Sequence, residues 1–182
     1  TQLDLPLPDT VGLTHWHWDH TFGLAAVDAI SFACRHTDDQ LKEMQSWRWD
    51  DGAMQERERL GLNSAFCNRM IRLEYPDRDK IEIATADVVF DDQLTIDLGG
   101  VTCEIMRVAG PHTTDSTMYL VPEEGVLFVS DALYRSEQVP DARAQLESFA
   151  GLLSELDFEV AVIGHSEHLS KEGLLAELEE EE

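Results

Sequence analysis

Six consecutive residues, His15-Trp16-His17-Trp18-Asp19-His20, bring three imidazoles and a carboxylate into one short stretch. Neutral imidazole nitrogen and carboxylate oxygen are ligands suited to zinc, and they also suit iron and manganese. In an extended or looped backbone alternate side chains point the same way, so His15 and His17 can converge on one ion. Asp19 and His20 then turn towards a neighbouring ion. The bland alternative is a polar loop between two tryptophans. Against it, histidine is scarce: of the 7 in the chain, His15, His17, His20, His112 and His165 lie in this cluster or at downstream strand ends. The remaining two, His36 and His168, fit no ligand position and read as ordinary surface histidines.

Elements must present these residues. The apolar run 11–14 reads as a strand end feeding the cluster, with a short helix over 21–27 and a buried strand over 30–34. From Thr37 the period becomes helical. Thr37 caps a helix with an acidic first turn (Asp38, Asp39) and Leu41, Met44, Gln45 and Trp47 at helical spacing. A second helix covers 53–60. A third covers 64–74 behind Asn63 as cap, with Phe66, Met70, Ile71 and Leu73 as its apolar face, and Pro76 ends it. The pattern then turns to β, with strands at 81–84, 88–90 and 94–97, and Gly99-Gly100 turning the chain into 101–108 as a hairpin. Residues 117–121 and 126–130 pair across Glu123-Glu124-Gly125. Asp141 caps an amphipathic helix to about Leu156, 160–164 is a strand ending at His165, and Ser170 begins a last helix. That helix trails into glutamates that read as a frayed, solvated tail. No internal repeat or low-complexity linker interrupts the chain.

The length, 182 residues, fits a single domain, and 43 % hydrophobic residues fit a globular one. With 37 acidic residues against 13 basic, the formal net charge is -24. Such a surface repels phosphate backbones and anionic bilayers, which excludes nucleic-acid and membrane partners and leaves a small-molecule substrate. No apolar run approaches the ~20 residues that span a bilayer. Cys34, Cys67 and Cys103 lie far apart without C-x-x-C spacing. They read as free thiols, small core residues rather than ligands, in a reducing, cytoplasmic setting.

H-x-H-x-D-H after a short apolar strand resembles the metal motif of the metallo-β-lactamase fold superfamily. The other ligands have counterparts in order. His112, in Gly110-Pro111-His112-Thr113-Thr114-Asp115-Ser116, resembles the histidine of the second motif. Asp131, after Leu127-Phe128-Val129-Ser130, resembles the bridging aspartate at a strand end. His165, in Val162-Ile163-Gly164-His165-Ser166, resembles the last histidine. The match is broken by the helical stretch at about 37–75. The resemblance implies an α/β (α+β) fold, a four-layer αββα sandwich carrying that stretch as an insertion. Few residues precede His15, so it also implies that part of the N-terminal strands is missing.

By this resemblance His15, His17 and His112 hold one Zn2+ ion, Asp19, His20 and His165 hold a second, and Asp131 bridges them; iron or manganese could take the same places. Two ions about 3.5–4 Å apart would share a bridging hydroxide and polarise a carbonyl or phosphoryl oxygen. The implied function is binuclear metal-dependent hydrolysis of an ester, lactone, thioester or similar small molecule. Phosphodiester or RNA hydrolysis on the same fold and a non-catalytic metal-binding domain are the alternatives. His17 stands where the superfamily's di-iron flavoprotein oxygen reductases have glutamate, which favours hydrolysis over redox chemistry. Asp131 stands where the best-known zinc β-lactamases have cysteine or serine, which turns the reading from antibiotics. The short stretch after His165 leaves little room for the C-terminal domain of glutathione thioesterases.

Asp19 would also relay a proton to the leaving group. Tyr134, three residues after Asp131, takes a position where some lactonases of the superfamily have a tyrosine. It would donate a hydrogen bond to the developing oxyanion, or else simply pack at a strand end. Thr113, Asp115 and Ser116 are candidates to orient His112. Of Trp16 and Trp18, one packs and supports the loop while the other is partly buried. The insertion, with Met44, Trp47, Trp49, Phe66 and Met70, either caps the metal cleft or, as such stripes more often do, makes core.

Overall fold

The first strand pair is parallel, and this decides where the histidine cluster goes. In the computed structural model, which describes residues 6–136 and 139–180, Thr10–Gly12 (β1) pairs with Ile30–Cys34 (β2) in the register Thr10↔Ile30 to Gly12↔Phe32. Parallel neighbours need a crossover between them. Here the crossover is the cluster itself, a short helix Trp18–Thr21 (α1) and a 3-10 turn Leu24–Ala26. The helix expected over 21–27 therefore begins earlier, inside the motif, and is broken before its end. Val88–Phe90 (β3) completes a three-stranded sheet in the order β1-β2-β3.

The chain divides into two compact units, residues 1–89 and 90–182. In the first, β2 runs directly into a helix, Arg35–Met44 (α2), with Cys34 at its N-cap position. Thr37 consequently lies inside the first turn, fully buried, with its Oγ1 3.3 Å from Cys34 Sγ, and does not cap the helix. Asp51–Arg59 (α3) is capped by Asp50, whose Oδ1 accepts the Ala53 N–H at 3.1 Å. Ala65–Glu74 (α4) is capped by Ser64 rather than Asn63, through the Cys67 N–H at 3.1 Å.

The apolar face expected for α4 is turned. Ile71 and Asn68 are buried, whereas Phe66 and Leu73 are 60 % and 68 % exposed. The reason is polar: the Asn68 Nδ2 donates to Met54 O at 3.1 Å and to Glu58 Oε2 at 2.8 Å, and its Oδ1 accepts from Asn63 Nδ2 at 3.0 Å. A buried amide with these partners fixes the rotation of the helix against α3. Residues 81–84 join neither sheet, and the Ile83 carbonyl accepts the Gln45 side chain at 3.0 Å. Leu41, Met44, Trp49, Met54 and Ile71 share one core with Leu13 and Phe22, so the inserted helices build this unit rather than hang from it.

Asp87 ties the segment before β3 to β2. Its Oδ2 accepts the Ser31 N–H at 2.9 Å and the Ser31 hydroxyl at 2.7 Å, and Ser31 Oγ accepts the Asp87 N–H at 3.0 Å. The Ser31 bonds hold this carboxyl below its ordinary value of 3.8. A carboxyl depressed on folding stabilises the protein above its unfolded pKa, and that contribution fades as pH falls through the folded value. Thermal melts between pH 6 and 3 should therefore show a steeper loss, below about pH 4, for wild type than for Asp87→Asn.

The second unit holds a sheet in the order Gln93–Asp97 (β4), Thr102–Arg107 (β5), Thr117–Val121 (β6), Val126–Ser130 (β7), Val160–Ile163 (β8) and Leu169–Ser170 (β9). All its pairings are antiparallel except β7–β8, which is parallel and spanned by a helix, Ala142–Glu155 (α5). Phe149, Leu146 and Leu153 of α5, with Leu174 and Leu178 of the last helix, Lys171–Glu180 (α6), cover Met118, Leu127 and Val129 of the sheet. Asp141 precedes α5 with a left-handed backbone (φ 55°) and makes no side-chain cap bond, so the expected cap is absent. The glutamate tail at Glu181 and Glu182 lies outside the described residues. No helix among the described residues is long and apolar enough to cross a membrane.

Candidate metal centre

Parallel strands bring their carboxyl ends together, and each unit uses this to gather candidate ligand residues. In the first unit the β1–β2 ladder extends to Leu13, whose N–H donates to Phe32 O at 2.9 Å. The chain then leaves the sheet at Thr14 and enters the cluster. The Thr14 Oγ1 lies 3.1 Å from His15 Nδ1 and 3.2 Å from His20 Nδ1. Where both rings donate through Nδ1–H to this hydroxyl oxygen, their Nε2 atoms are left to act as ligands. His17 differs: its Nδ1 stands 3.0 Å from His15 Nε2, so the two rings converge through unlike nitrogens. Asp19 and His20 are consecutive on α1, and Asp19 Oδ2 is 3.6 Å from His20 Nε2.

The loop is held from below. The buried Thr21 hydroxyl lies 2.9 Å from His17 O and 3.2 Å from Trp16 O. Trp16 and Trp18 are both partly buried against the core of this unit. The inserted helices and their flanks meet α1 through edge contacts, Phe22 on Trp49 at 5.0 Å and Trp18 on Tyr75 at 6.4 Å.

In the second unit Asp131 directly follows β7 and His165 lies just beyond β8, so the parallel pair places them side by side. The strand β6 runs antiparallel to β7, and the loop before it brings His112 to the same end. The Asp131 Oδ2 lies 3.6 Å from His112 Nε2 and 3.3 Å from His165 Nε2. His112 Nδ1 is 3.2 Å from Tyr134 O, which fixes the Nδ1–H tautomer and leaves Nε2 for ligation. The loop before β6 is tied by Thr113 Oγ1 and Ser116 Oγ at 2.8 Å. The Tyr134 hydroxyl donates to Gly164 O at 2.6 Å, with Ser166 Oγ at 3.3 Å. His36 and His168 are exposed, and Cys34, Cys67 and Cys103 are free thiols, the first and last buried.

These residues fit divalent ions. Two ligands on a tetrahedral ion, with bonds of about 2.0–2.2 Å, lie roughly 3.3–3.6 Å apart. The two Asp131–imidazole separations and the Asp19–His20 separation, 3.3–3.6 Å, fall on that edge length. The backbone is also strained where it presents them. Ser130 (φ 53°) and His165 (φ 63°) are non-glycine residues in the left-handed region, on either side of Asp131. Gly164 admits no side chain, because a Cβ there would land on the Asp131 carboxylate.

Sequence reasoning passed over Thr14, Thr21, Gly164 and the Tyr134 carbonyl. Thr14 left a signal, a hydroxyl abutting the motif at a strand end; the carbonyl left none, since any residue has one. Thr14→Val should weaken metal binding about 10-fold or more with the melt little changed, as chelator competition would show.

A sequence profile of the metallo-beta-lactamase superfamily matches residues 2–165. No curated protein is significantly similar in sequence. Among solved structures, an archaeal metallo-beta-lactamase superfamily protein from Sulfolobus tokodaii superposes with a TM-score of 0.62 at 18 % identity, over 97 % of this chain and 68 % of that one. A metallo-beta-lactamase family protein from Thermus thermophilus gives 0.62 at 20 % identity, over 94 % of this chain and 58 % of its own. The stereoselective inverting sec-alkylsulfatase of a Pseudomonas species gives 0.62 at 14 % identity, over 97 % of this chain and 32 % of its own. This chain thus spans between about a third and two thirds of these proteins. The chain belongs to the metallo-β-lactamase superfamily, whose members are mostly metal-dependent hydrolases.

Proposed function

We propose that the two units form one domain with a binuclear centre that hydrolyses an ester, lactone, thioester or similar small molecule. His15 Nε2, His17 Nδ1 and His112 Nε2 hold one ion, and Asp19, His20 Nε2 and His165 Nε2 hold the other. The observation that carries this reading is Asp131 Oδ2 standing 3.6 Å and 3.3 Å from the imidazoles of His112 and His165. One carboxylate oxygen between two imidazole nitrogens is the arrangement a bridging ligand needs. Zinc is the ion proposed, since five imidazoles and two carboxylates suit it well.

Ions held there supply Lewis acidity, which lowers the pKa of water and polarises a carbonyl. The chain's own residues do the remaining work. Tyr134 O keeps the His112 imidazole in the tautomer that offers Nε2, and Thr14 Oγ1 orients the rings of His15 and His20 through their Nδ1 atoms. Asp19, with its side chain 30 % exposed, can carry a proton to the leaving group. The charge of -24 opposes polyanionic substrates, and three free thiols accord with a reducing compartment such as the cytoplasm.

Turnover on a panel of lactones, thioesters and phosphodiesters, with His17→Ala as control, tests the reading. Carboxylic ester or lactone hydrolysis that disappears in the control is expected. A preference for phosphodiesters would overturn the substrate class, and bound metal with no turnover would favour a non-catalytic domain.

A further inference from the structure

We infer that Tyr134 is a positioning residue which braces the two imidazoles flanking Asp131, and that it does not serve as an oxyanion donor. This rests on the proposed metal centre and adds to it. The residue grips both sides at once. Its carbonyl lies 3.2 Å from His112 Nδ1, and its hydroxyl donates to the carbonyl of Gly164 at 2.6 Å, one residue before His165. Gly164 is held by its other backbone group too, since its N–H donates to Ser130 O at 3.0 Å.

Such a double grip answers a specific need. Ser130 and His165 both hold left-handed backbones, at φ 53° and 63°, a conformation unfavourable for an L-residue. Left alone, the turn after β8 would relax and carry His165 away from Asp131. The His165 side chain is 56 % exposed, so its position depends on the backbone that presents it. The hydroxyl of Tyr134 restrains the Gly164–His165 peptide through its carbonyl. Its one proton is spent on Gly164 O, and none remains for a substrate oxygen unless that bond breaks.

The variant Tyr134→Phe removes the hydroxyl and keeps both the ring and the carbonyl that faces His112. In chelator titration of the full chain, it should lower affinity for one ion about 10-fold and leave the other unchanged. With cobalt substituted, the visible spectrum of that one site should change. In hydrogen exchange on the chain with or without metal, the Gly164 amide should exchange at least 10-fold faster than in wild type. Unchanged exchange at Gly164 overturns the brace whatever the metal content. Wild-type affinity for both ions with a large fall in kcat overturns it in favour of the oxyanion donor. Wild-type protein that binds no metal defeats the binuclear reading, while the exchange result still decides the brace.

Discussion

Asp131→Ala should empty both metal positions and reduce hydrolysis by about a thousandfold, some 4 kcal/mol of barrier. Asp131 is 5 % exposed at the end of β7, so the carboxylate meets little competing water. One of its oxygens stands 3.3–3.6 Å from two imidazole nitrogens. On the proposed assignment, removing it takes one ligand from each ion and a negative charge from beside His112 and His165. The fold should persist, because the neighbouring Val129 and Ala132 keep their places in the core of the second unit. A melt within a few degrees of wild type, with metal content and turnover both lost, is the expected outcome. Metal loss with full activity would separate the hydrolysis from the ions.

Gly164→Ala should damage the same place from the backbone side. A Cβ on Gly164 would overlap the Asp131 carboxylate and lie 3.1 Å from its Cγ and 3.3 Å from the Ser130 carbonyl carbon. Neither neighbour can yield cheaply. The carboxylate is buried, and Ser130 O already accepts the Gly164 N–H. Overpacking of this kind costs about 1–3 kcal/mol. Metal affinity should fall at least 10-fold as Asp131 is pushed from between the histidines. Gly151→Ala is the control, since a Cβ there meets nothing within 4 Å in the middle of α5. That change should raise the melting temperature slightly, by removing glycine from a helix. Equal effects at the two glycines would refute the steric argument.

The second unit's strands were legible in the sequence. β2 falls where its apolar run lies, and β6 and β7 fall on either side of Glu123-Glu124-Gly125, because strong alternation and a turn at Gly125 (φ 62°) leave little choice. The first unit was less legible. Thr37 looks like a cap by type, yet β2 enters α2 without a loop and leaves it in the interior. Phe66 and Leu73 look like a buried face, yet Asn68 claims that side through bonds to α3 that depend on a residue far enough in sequence to escape any local rule. Asp141 has the right chemistry for a cap and the wrong backbone. At the site, the candidate ligands stand out locally by residue type and spacing, whereas their supports are tertiary. Thr14 serves two rings at once, and Tyr134 serves through a carbonyl that any residue would possess.

Metal quantification on the intact chain, in wild type and in Asp131→Ala, addresses the binuclear centre itself. About two divalent ions per wild-type chain and fewer than one per Asp131→Ala chain is the expected result. One ion or none in the wild type, or two retained without Asp131, would contradict it.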